Sequence, residues 1–509
     1  MAKFTFNAKK FKYGTSATVL TVVFIAVVVL INTLTTAWNN YRPMTVDMTK
    51  NKVFAISDAT KTLLAPIKTP VTIVFFMPID QYEQLYDSSS GDNGKMIVEC
   101  IRAYAREFSN VKIQSIDIIK NPDAAKEYKN ADATQIATTS IAVKGDYGYR
   151  VLSFASFFGN SSNTGMLFGF YGEMKMTSTI MNVTSPEKSV VCFTTQHGEA
   201  VNPIDPAVQQ MFTAAGFDIQ TIDLTTEDIP ADCKILVILD PTTDFTGADP
   251  NNPNQISEID KVNQYLGNFG SVMYFTDPNV RPLPELEALL AEWGISFMHG
   301  ALISDPKNSI STDGFELISQ YSLTYDSDGN VDTTPSNEIV KNVATLPSAR
   351  TIVTYAEPIN ILFSSKDNTS TSVVLATYPT AVATQDNQTV LSNTPIPLMV
   401  LAERGRYITD GAGNQDYKSG YVLACGSSQF LSSSFLLSNS FRNQDILFNA
   451  MRMMGMKNVP SGLTFKVVED ESLNISQADK YTWTVVIMTV LPLITLITGL
   501  VIWLKRRNS

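Results

Sequence analysis

The stretch SVVCFTTQHGE, residues 189–199, decides the fold of this chain. Its first half, residues 190–193, is a short run of β-branched and aromatic residues, which is typical of a buried strand. A helical pattern follows and ends at Gly216, and two more strands are predicted at residues 217–222 and 234–239. Hydrophobic strands that alternate with helices predict a mostly parallel sheet covered on both faces.

Three polar residues come directly after the first of these strands: Gln196, His197 and Glu199. Ligands usually bind at the carboxyl ends of the strands in an open α/β sheet. We therefore predict that these three residues form the ligand site of the chain. The simpler alternative is that His197 hydrogen-bonds its own loop, while Glu199 lies near a helix N-terminus, where a carboxylate is stabilised. The residues alone favour that alternative.

The charge of the chain is unevenly distributed. The net charge is −11. The length of 509 residues predicts two or three folded units. Without the seven cations next to the two terminal apolar runs, 31 basic residues remain against 49 acidic ones. So acidic a central region lacks the basic surface that nucleic acid binding requires. Nucleic acid is therefore excluded as a partner.

Two apolar runs predict transmembrane helices, at residues 15–37 and 482–504. Trp483 and Trp503 lie at the two ends of the second run, where they would anchor it at the membrane interfaces. Both runs have cationic outer flanks, so the positive-inside rule places both termini in the cytoplasm and the residues between them outside the plasma membrane. A cleaved signal peptide is the alternative interpretation of the first run.

The region between the runs predicts two extracytoplasmic α/β domains, of which the second is flavodoxin- or Rossmann-like. Residues 306–415 are rich in Ser, Thr, Asn and Asp, and they predict an irregular, β-rich insertion in that domain. The predicted segments are cytoplasmic tails at 1–14 and 505–509, a membrane-proximal α/β domain at 38–170, a second α/β domain at 171–462, and a stalk at 463–481.

The sequence lacks the usual catalytic and metal-binding motifs. It has no G-x-S-x-G, Walker A, H-E-x-x-H or G-x-G-x-x-G pattern, so we predict that it is not an enzyme and that any ATP hydrolysis belongs to another polypeptide. With two histidines, and four cysteines that lie far apart, we also predict no metal site and no cofactor. His299, a lone loop histidine, is predicted to be structural.

Cys192 precedes His197 near a strand end, an order loosely similar to the Cys/His pair of amidotransferase-like folds. However, Cys192 lies within the apolar run, and no glycine-flanked turn would expose it. We predict a core residue rather than a nucleophile, and we expect all four cysteines to be buried and reduced.

Several stretches resemble the GldG-like auxiliary subunits of ABC transporters. These are RPMTVDMTKNKVFAISDATKTLLAPIKTPVTIVFF from Arg42, which includes Ser57 as a helix cap, GEMKMTSTI from Gly172, TTQHGE from Thr194, and LPLITLITGLVIWLKRR from Leu491. The chain departs from the family pattern at Gln196, where the family usually has Gly, and at Ser427, where it has Asp.

The resemblance implies a non-catalytic, membrane-anchored auxiliary subunit of an ABC-2-type transporter. Its implied partners are a permease subunit, a cytoplasmic ABC ATPase reached through that permease, and membrane lipid. The extracytoplasmic domain would guide or sense a substrate or an envelope component. A stand-alone extracytoplasmic receptor for an envelope sugar or peptide is the alternative function.

Overall fold

The structure is a computed structural model that falls into two units, Met1–Ala55 and Ile56–Ser509. It describes residues 19, 22–34, 54–87, 93–129, 136–160, 167–186, 190–199, 201, 204–248, 252, 257–279, 281–346, 349–409, 413–438, 440–455, 466–467, 484 and 486–507. In the first unit, the described helix α1 (Val22–Leu34) is apolar and lies within the first predicted span. The rest of the first predicted span lies outside the described residues, except for position 19.

The second unit begins with a small α/β layer. Its elements are α2 (Asp58–Leu64), β1 (Val71–Phe75), α3 (Ile79–Tyr82), α4 (Gly94–Glu107), β2 (Val111–Ser115), β3 (Ile141–Gly145), β4 (Gly148–Leu152), β5 (Phe158–Asn160), β6 (Leu167–Phe170) and α5 (Gly172–Val183), with 3-10 helices at Pro122–Tyr128 and Phe154–Phe157. A four-stranded sheet runs in the order β2-β1-β3-β4. As the sequence predicts, Ser57 caps α2 by accepting a hydrogen bond from the Thr60 amide.

A buried carboxylate at the start of α5 joins two distant parts of the second unit. Glu173 Oε1 accepts hydrogen bonds from the Ser57 amide at 2.6 Å and from the Thr60 hydroxyl at 2.8 Å. Its Oε2 lies 2.8 Å from Nζ of Lys466. Glu173 is 5% exposed, and Lys466 opposes the cost of burying its charge. One side chain therefore holds both the entry to α2 and a segment close to the C-terminal end of the chain.

That C-terminal segment is strand β23 (Lys466–Val467), which pairs with β6 in a three-stranded sheet of order β23-β6-β5. The predicted stalk at 463–481 therefore begins inside the folded domain. The reason is that β6 offers a free backbone edge, which this short segment covers.

The centre of the unit follows the pattern that the sequence predicts between residues 190 and 294, and further short strands and one helix extend it to residue 344. Its elements are β7 (Val190–Thr194), α6 (Pro206–Ala214), β8 (Asp218–Ile222), β9 (Cys233–Leu239), α7 (Glu258–Gly267), β10 (Ser271–Phe275), α8 (Pro284–Glu292), β11 (Ile295–Phe297), β12 (Leu302–Ser304), β13 (Glu316–Ile318), β14 (Gln320–Tyr321) and α9 (Pro335–Ala344). The fold is mixed α/β, in agreement with the predicted class.

The remaining elements include the rest of the central sheet and strands of three smaller sheets. They are β15 (Ile352–Thr354), β16 (Ile359–Ile361), β17 (Ser365–Lys366), β18 (Thr369–Ala376), β19 (Val382–Gln385), β20 (Gln388–Ser392), β21 (Pro397–Thr409), β22 (Gln415–Cys425), a 3-10 helix at Ser428–Leu431, α10 (Ser433–Leu436) and α11 (Asn443–Met454). The order of the central sheet is β14-β18-β21-β22-β10-β9-β7-β8, with β17 on β18. The smaller sheets are β11-β16, β12-β19-β20 and β13-β15.

This central sheet has a parallel half and an antiparallel half. Strands β8, β7, β9, β10 and β22 are parallel and follow the chain order 2-1-3-4-5, so the order reverses between β7 and β9. Strand β21 pairs antiparallel with β22, and β18 and then β14 extend the sheet beyond β21, also in antiparallel pairing. Part of the predicted insertion is therefore a regular extension of the main sheet, and the insertion also contains the helix α9.

Both faces of the sheet are buried. In β7, Val191 and Phe193 belong to one apolar cluster and Val190 and Cys192 to the other, because alternate side chains point to opposite faces. All four cysteines are buried and unpaired, which confirms the prediction for them.

The C-terminal end is helix α12 (Leu491–Arg507), which follows a π-helical turn at Val486–Val490. The π-helical turn and α12 are continuous, and together they provide the stretch Ile487–Lys505, which is long and apolar enough to cross a membrane. This helix corresponds closely to the second predicted span.

Candidate functional site

The turn after β7 holds the predicted site residues at the point where the strand order reverses. Gln196 has φ +84° and Gly198 has φ +80°. A Cβ atom on Gly198 would come within 2.0 Å of the Thr242 hydroxyl, so only glycine fits there. The carbonyl of His197 accepts hydrogen bonds from the amides of Thr242 and Thr243 at 2.7 and 2.9 Å. The turn is thus fixed to the loop that follows β9.

The imidazole of His197 is held between two carboxylates. Nδ1 lies 3.2 Å from Oε1 of Glu199, and Nε2 lies 3.2 Å from Oε2 of Glu258. The ring stacks on Phe245 with 3.9 Å between ring centroids, and His197 is only 4% exposed. Both ring nitrogens and one ring face of His197 are therefore in contact with neighbouring side chains.

The two carboxylates determine the charge of His197. Burial opposes the charged form, but the hydrogen bond to Glu199 and the charge of Glu258 outweigh it and raise the pKa of His197 above 6.5. Burial likewise opposes the charged form of Glu199, yet the hydrogen bond from His197 lowers the pKa of that carboxyl. His197 is therefore a buried imidazole whose charged form is stabilised by a carboxylate on each side.

The structure brings together two of the three predicted residues and adds a third. His197 and Glu199 are in contact, while Gln196 is exposed at the crest of the turn. Glu258, at the start of α7, lies 61 residues from His197 in sequence and was not predicted to contribute. Its only local signal is its position after the capping residue Ser257. A ligand role for these residues stays a prediction.

The other histidine has a similar environment. In His299, Nε2 lies 2.9 Å from Oε1 of Glu287 and Nδ1 lies 3.1 Å from Oε2 of Glu357. The hydrogen bond to Glu357 raises the pKa of His299, although burial opposes the charged form. Glu287 belongs to α8 and Glu357 lies between β15 and β16, so the ring links two elements. This geometry agrees with the structural role predicted for His299.

Further carboxylates lie near the same edge of the sheet. Asp240, directly after β9, has φ +52°, and its Oδ1 is buried without a hydrogen-bond partner. Burial and the neighbouring Asp277 raise the pKa of Asp240 to about 6. Among the described residues, no three His, Cys, Asp or Glu side chains are arranged to hold a metal ion. Cys192, inside β7, is fully buried.

A second candidate opening lies at the opposite, amino edge of the parallel strands. This amino-edge groove has a volume of about 1450 Å³ and is bordered by the first residues of β9, the C-terminal ends of α7 and α11, one side of α9 and the β21–β22 hairpin. Sequence reasoning missed it, because its walls come from strand starts and helix ends that are far apart in the chain and share no motif.

Two regions of the chain match known protein families. Residues 188–450, more than half of the chain, match the protein family described as an ABC-type uncharacterized transport system. Residues 50–157 match a domain of unknown function. No curated protein matches the chain. A solved structure titled "Structure of PurLQS from Thermotoga maritima" is 12% identical, with 52% of this chain and 98% of that chain covered and a TM-score of 0.23, too low to support an argument.

Proposed function

Because this chain belongs to the ABC-type uncharacterized transport system family, we propose that it is a non-catalytic, membrane-anchored auxiliary subunit of an ABC-2-type transporter. The family gives it a role associated with an ABC transport system. The family match over residues 188–450 is the observation that carries the proposal. The match identifies the transport-system family and not its GldG-like members in particular.

Two further observations support the subunit role. The stretch Ile487–Lys505 has the length and apolar composition of a membrane-spanning helix, which supports association of the chain with a membrane. The sequence contains no Walker A loop, so the energy for transport would come from a separate ATPase. We propose that the C-terminal helix docks on the permease, and that the permease links this chain to that ATPase.

We further propose that the α/β region lies outside the cytoplasm, where it guides or senses a substrate or an envelope component. The cationic flanks of both apolar runs support this topology through the positive-inside rule. The fixed His197 turn supports a structural rather than catalytic role for the carboxyl edge, since both imidazole nitrogens already have partners.

The test is a pull-down of the tagged full-length protein in mild detergent, followed by mass spectrometry. We expect recovery of an ABC ATPase and a multi-span permease. The matched control replaces residues 487–505 with an unrelated apolar helix of equal length, which keeps the anchor but changes its surface. Loss of both partners in that variant supports docking through the helix, whereas absence of both from the unmodified protein, even after cross-linking in membranes, refutes the proposal.

The second candidate function is a stand-alone receptor for an envelope sugar or peptide. The volume of the amino-edge groove favours it, because the groove exceeds the roughly 300–1,000 Å³ of most small-molecule sites. A receptor that acts alone would be recovered without a permease, so the same pull-down distinguishes the two functions.

A further inference from the structure

We propose that the amino-edge groove binds an acidic saccharide chain. This inference rests on the proposed function in one respect, since it requires the α/β region to face the compartment where envelope glycans occur. It differs from the site expected from the sequence, because the groove lies at the opposite edge of the sheet from Gln196, His197 and Glu199.

The size of the groove fits a chain better than a single small molecule. Its volume of about 1450 Å³ is above the range of roughly 300–1,000 Å³ typical of drug-sized ligands. The groove spans the starts of β9, β10 and the paired part of β22, so its length crosses several strands. A linear ligand of several units can lie along such a surface.

One wall of the groove carries an aromatic platform. The β21–β22 hairpin extends beyond the two strands that flank it. Strand β18 pairs with β21 only as far as Arg404, and β10 pairs with β22 only from Tyr421 onward. Tyr417 on this extension is 50% exposed and packs edge-to-face on Tyr407, with ring centroids 5.2 Å apart. Its ring lies over Gly405, where a Cβ atom would come within 2.1 Å of the Tyr417 hydroxyl oxygen. The ring is therefore held in place, ready to stack against the C–H face of a sugar.

The polar side chains of the groove suit hydroxyl groups. Gln264, Asn268 and Asn342 line it, and all three are exposed. A side-chain amide donates and accepts hydrogen bonds at the same time, as a sugar hydroxyl does. These amides come from α7, its C-terminal end and α9, so they border the groove on two sides.

The charges of the groove favour an acidic sugar over a neutral one. Two of its four cations are used internally: Lys261 donates to the carbonyls of Leu224 and Glu227, and Lys341 pairs with Glu338. Among the described residues, Lys234 and Arg452 have no ion-pair partner. The two positive charges of these side chains also outweigh the partial negative charges at the C-terminal ends of α7 and α11, which border the groove. In a chain of net charge −11, this local excess of cations suits carboxylate or phosphate groups on the ligand.

The test is calorimetric titration of the detergent-purified full-length protein with hexagalacturonate and, for comparison, with neutral maltohexaose. We expect the acidic hexamer to bind at least about tenfold more tightly than the neutral one, and Tyr417→Ala to weaken its binding by about tenfold. The double variant Lys234→Gln/Arg452→Gln is expected to weaken binding of the acidic hexamer by a similar factor. The matched control, Arg281→Gln/Lys307→Gln, removes two exposed cations outside the groove and is expected to leave binding unchanged.

Three results overturn the inference: no binding of hexagalacturonate, equal binding of the two hexamers, or binding that neither groove variant weakens. Thermal unfolding of each variant confirms that it is folded. The titration and the pull-down test different proposals. If no saccharide binds but the permease is still recovered, the groove site is refuted and the subunit role stands. Saccharide binding without a permease refutes the subunit role instead.

Discussion

Oε2 of Glu258 accepts a hydrogen bond from the Thr246 amide at 2.8 Å and also lies 3.2 Å from Nε2 of His197. The contact with His197 joins the turn after β7 to the first turn of α7, across the position where the strand order reverses. Many α/β proteins bind ligands at this position, and here the His197 and Glu258 side chains are paired with each other.

Glu258→Gln is expected to destabilise the protein by about 1–3 kcal/mol, because it replaces the carboxylate partner of the buried His197 imidazole with an amide. The measurement is the thermal unfolding of the full-length protein in detergent. Glu292→Gln is the control, since Glu292 is exposed at the end of α8 and its replacement is expected to change stability by less than about 0.5 kcal/mol. Equal effects of the two substitutions would contradict the role given to Glu258.

The two histidines are expected to make stability fall as pH rises. Both have a pKa above the ordinary value of 6.5 in the folded protein, so their contribution is fully present below pH 6.5 and is lost as pH rises through the raised pKa. Unfolding temperature measured from pH 6 to pH 9 is expected to decline over this window. The decline should be smaller in His197→Gln and in His299→Gln, and an unchanged pH profile in both variants would disprove the assignment.

Asp240→Asn is expected to stabilise the protein near neutral pH. The folded pKa of Asp240 is about 6 against an ordinary 3.8, so the folded state prefers the neutral form and stability is lost as pH rises from about 4 to 6. Asparagine is neutral, has the same shape and tolerates the positive φ at this position. We expect a gain of about 1 kcal/mol at pH 7 and none at pH 3, where the aspartate is already protonated.

The Glu173–Lys466 ion pair is expected to show energetic coupling. Glu173→Gln leaves the partly buried Lys466 ammonium without its carboxylate, and we expect a loss of about 2–3 kcal/mol. Lys466→Met and the double variant complete a double-mutant cycle. A coupling energy of about 0.5–3 kcal/mol would support a direct interaction, and strictly additive losses would rule it out.

The sequence predicted the parallel half of the central sheet because each of its strands carries a local signal. The run at 190–193 and the glycine after α6 are readable without knowledge of any partner. The hairpin of β3 and β4 and the helix α5 were predicted for the same reason.

What the sequence could not show are pairings between distant segments. Strands β18 and β21 have ordinary β-type composition, and their membership of the main sheet depends on contacts with β22. Likewise, His197 and Glu199 were recognised as neighbours, whereas Glu258 and the pairing of β23 with β6 depend on the closed fold. Local pattern therefore predicted the elements but not the partners that close the site.

The position of Glu173 has a mechanical consequence. Ser57 lies at the beginning of the second unit and Lys466 precedes α12 by fewer than thirty residues, so one carboxylate fastens both segments to α5. Tension applied between the two segments would cross the contacts of Glu173 and the pairing of β23 with β6, and it need not pass through the large central sheet. We therefore expect β7, β9, β10 and β22 to remain undistorted under such a load, and these peripheral contacts to break first.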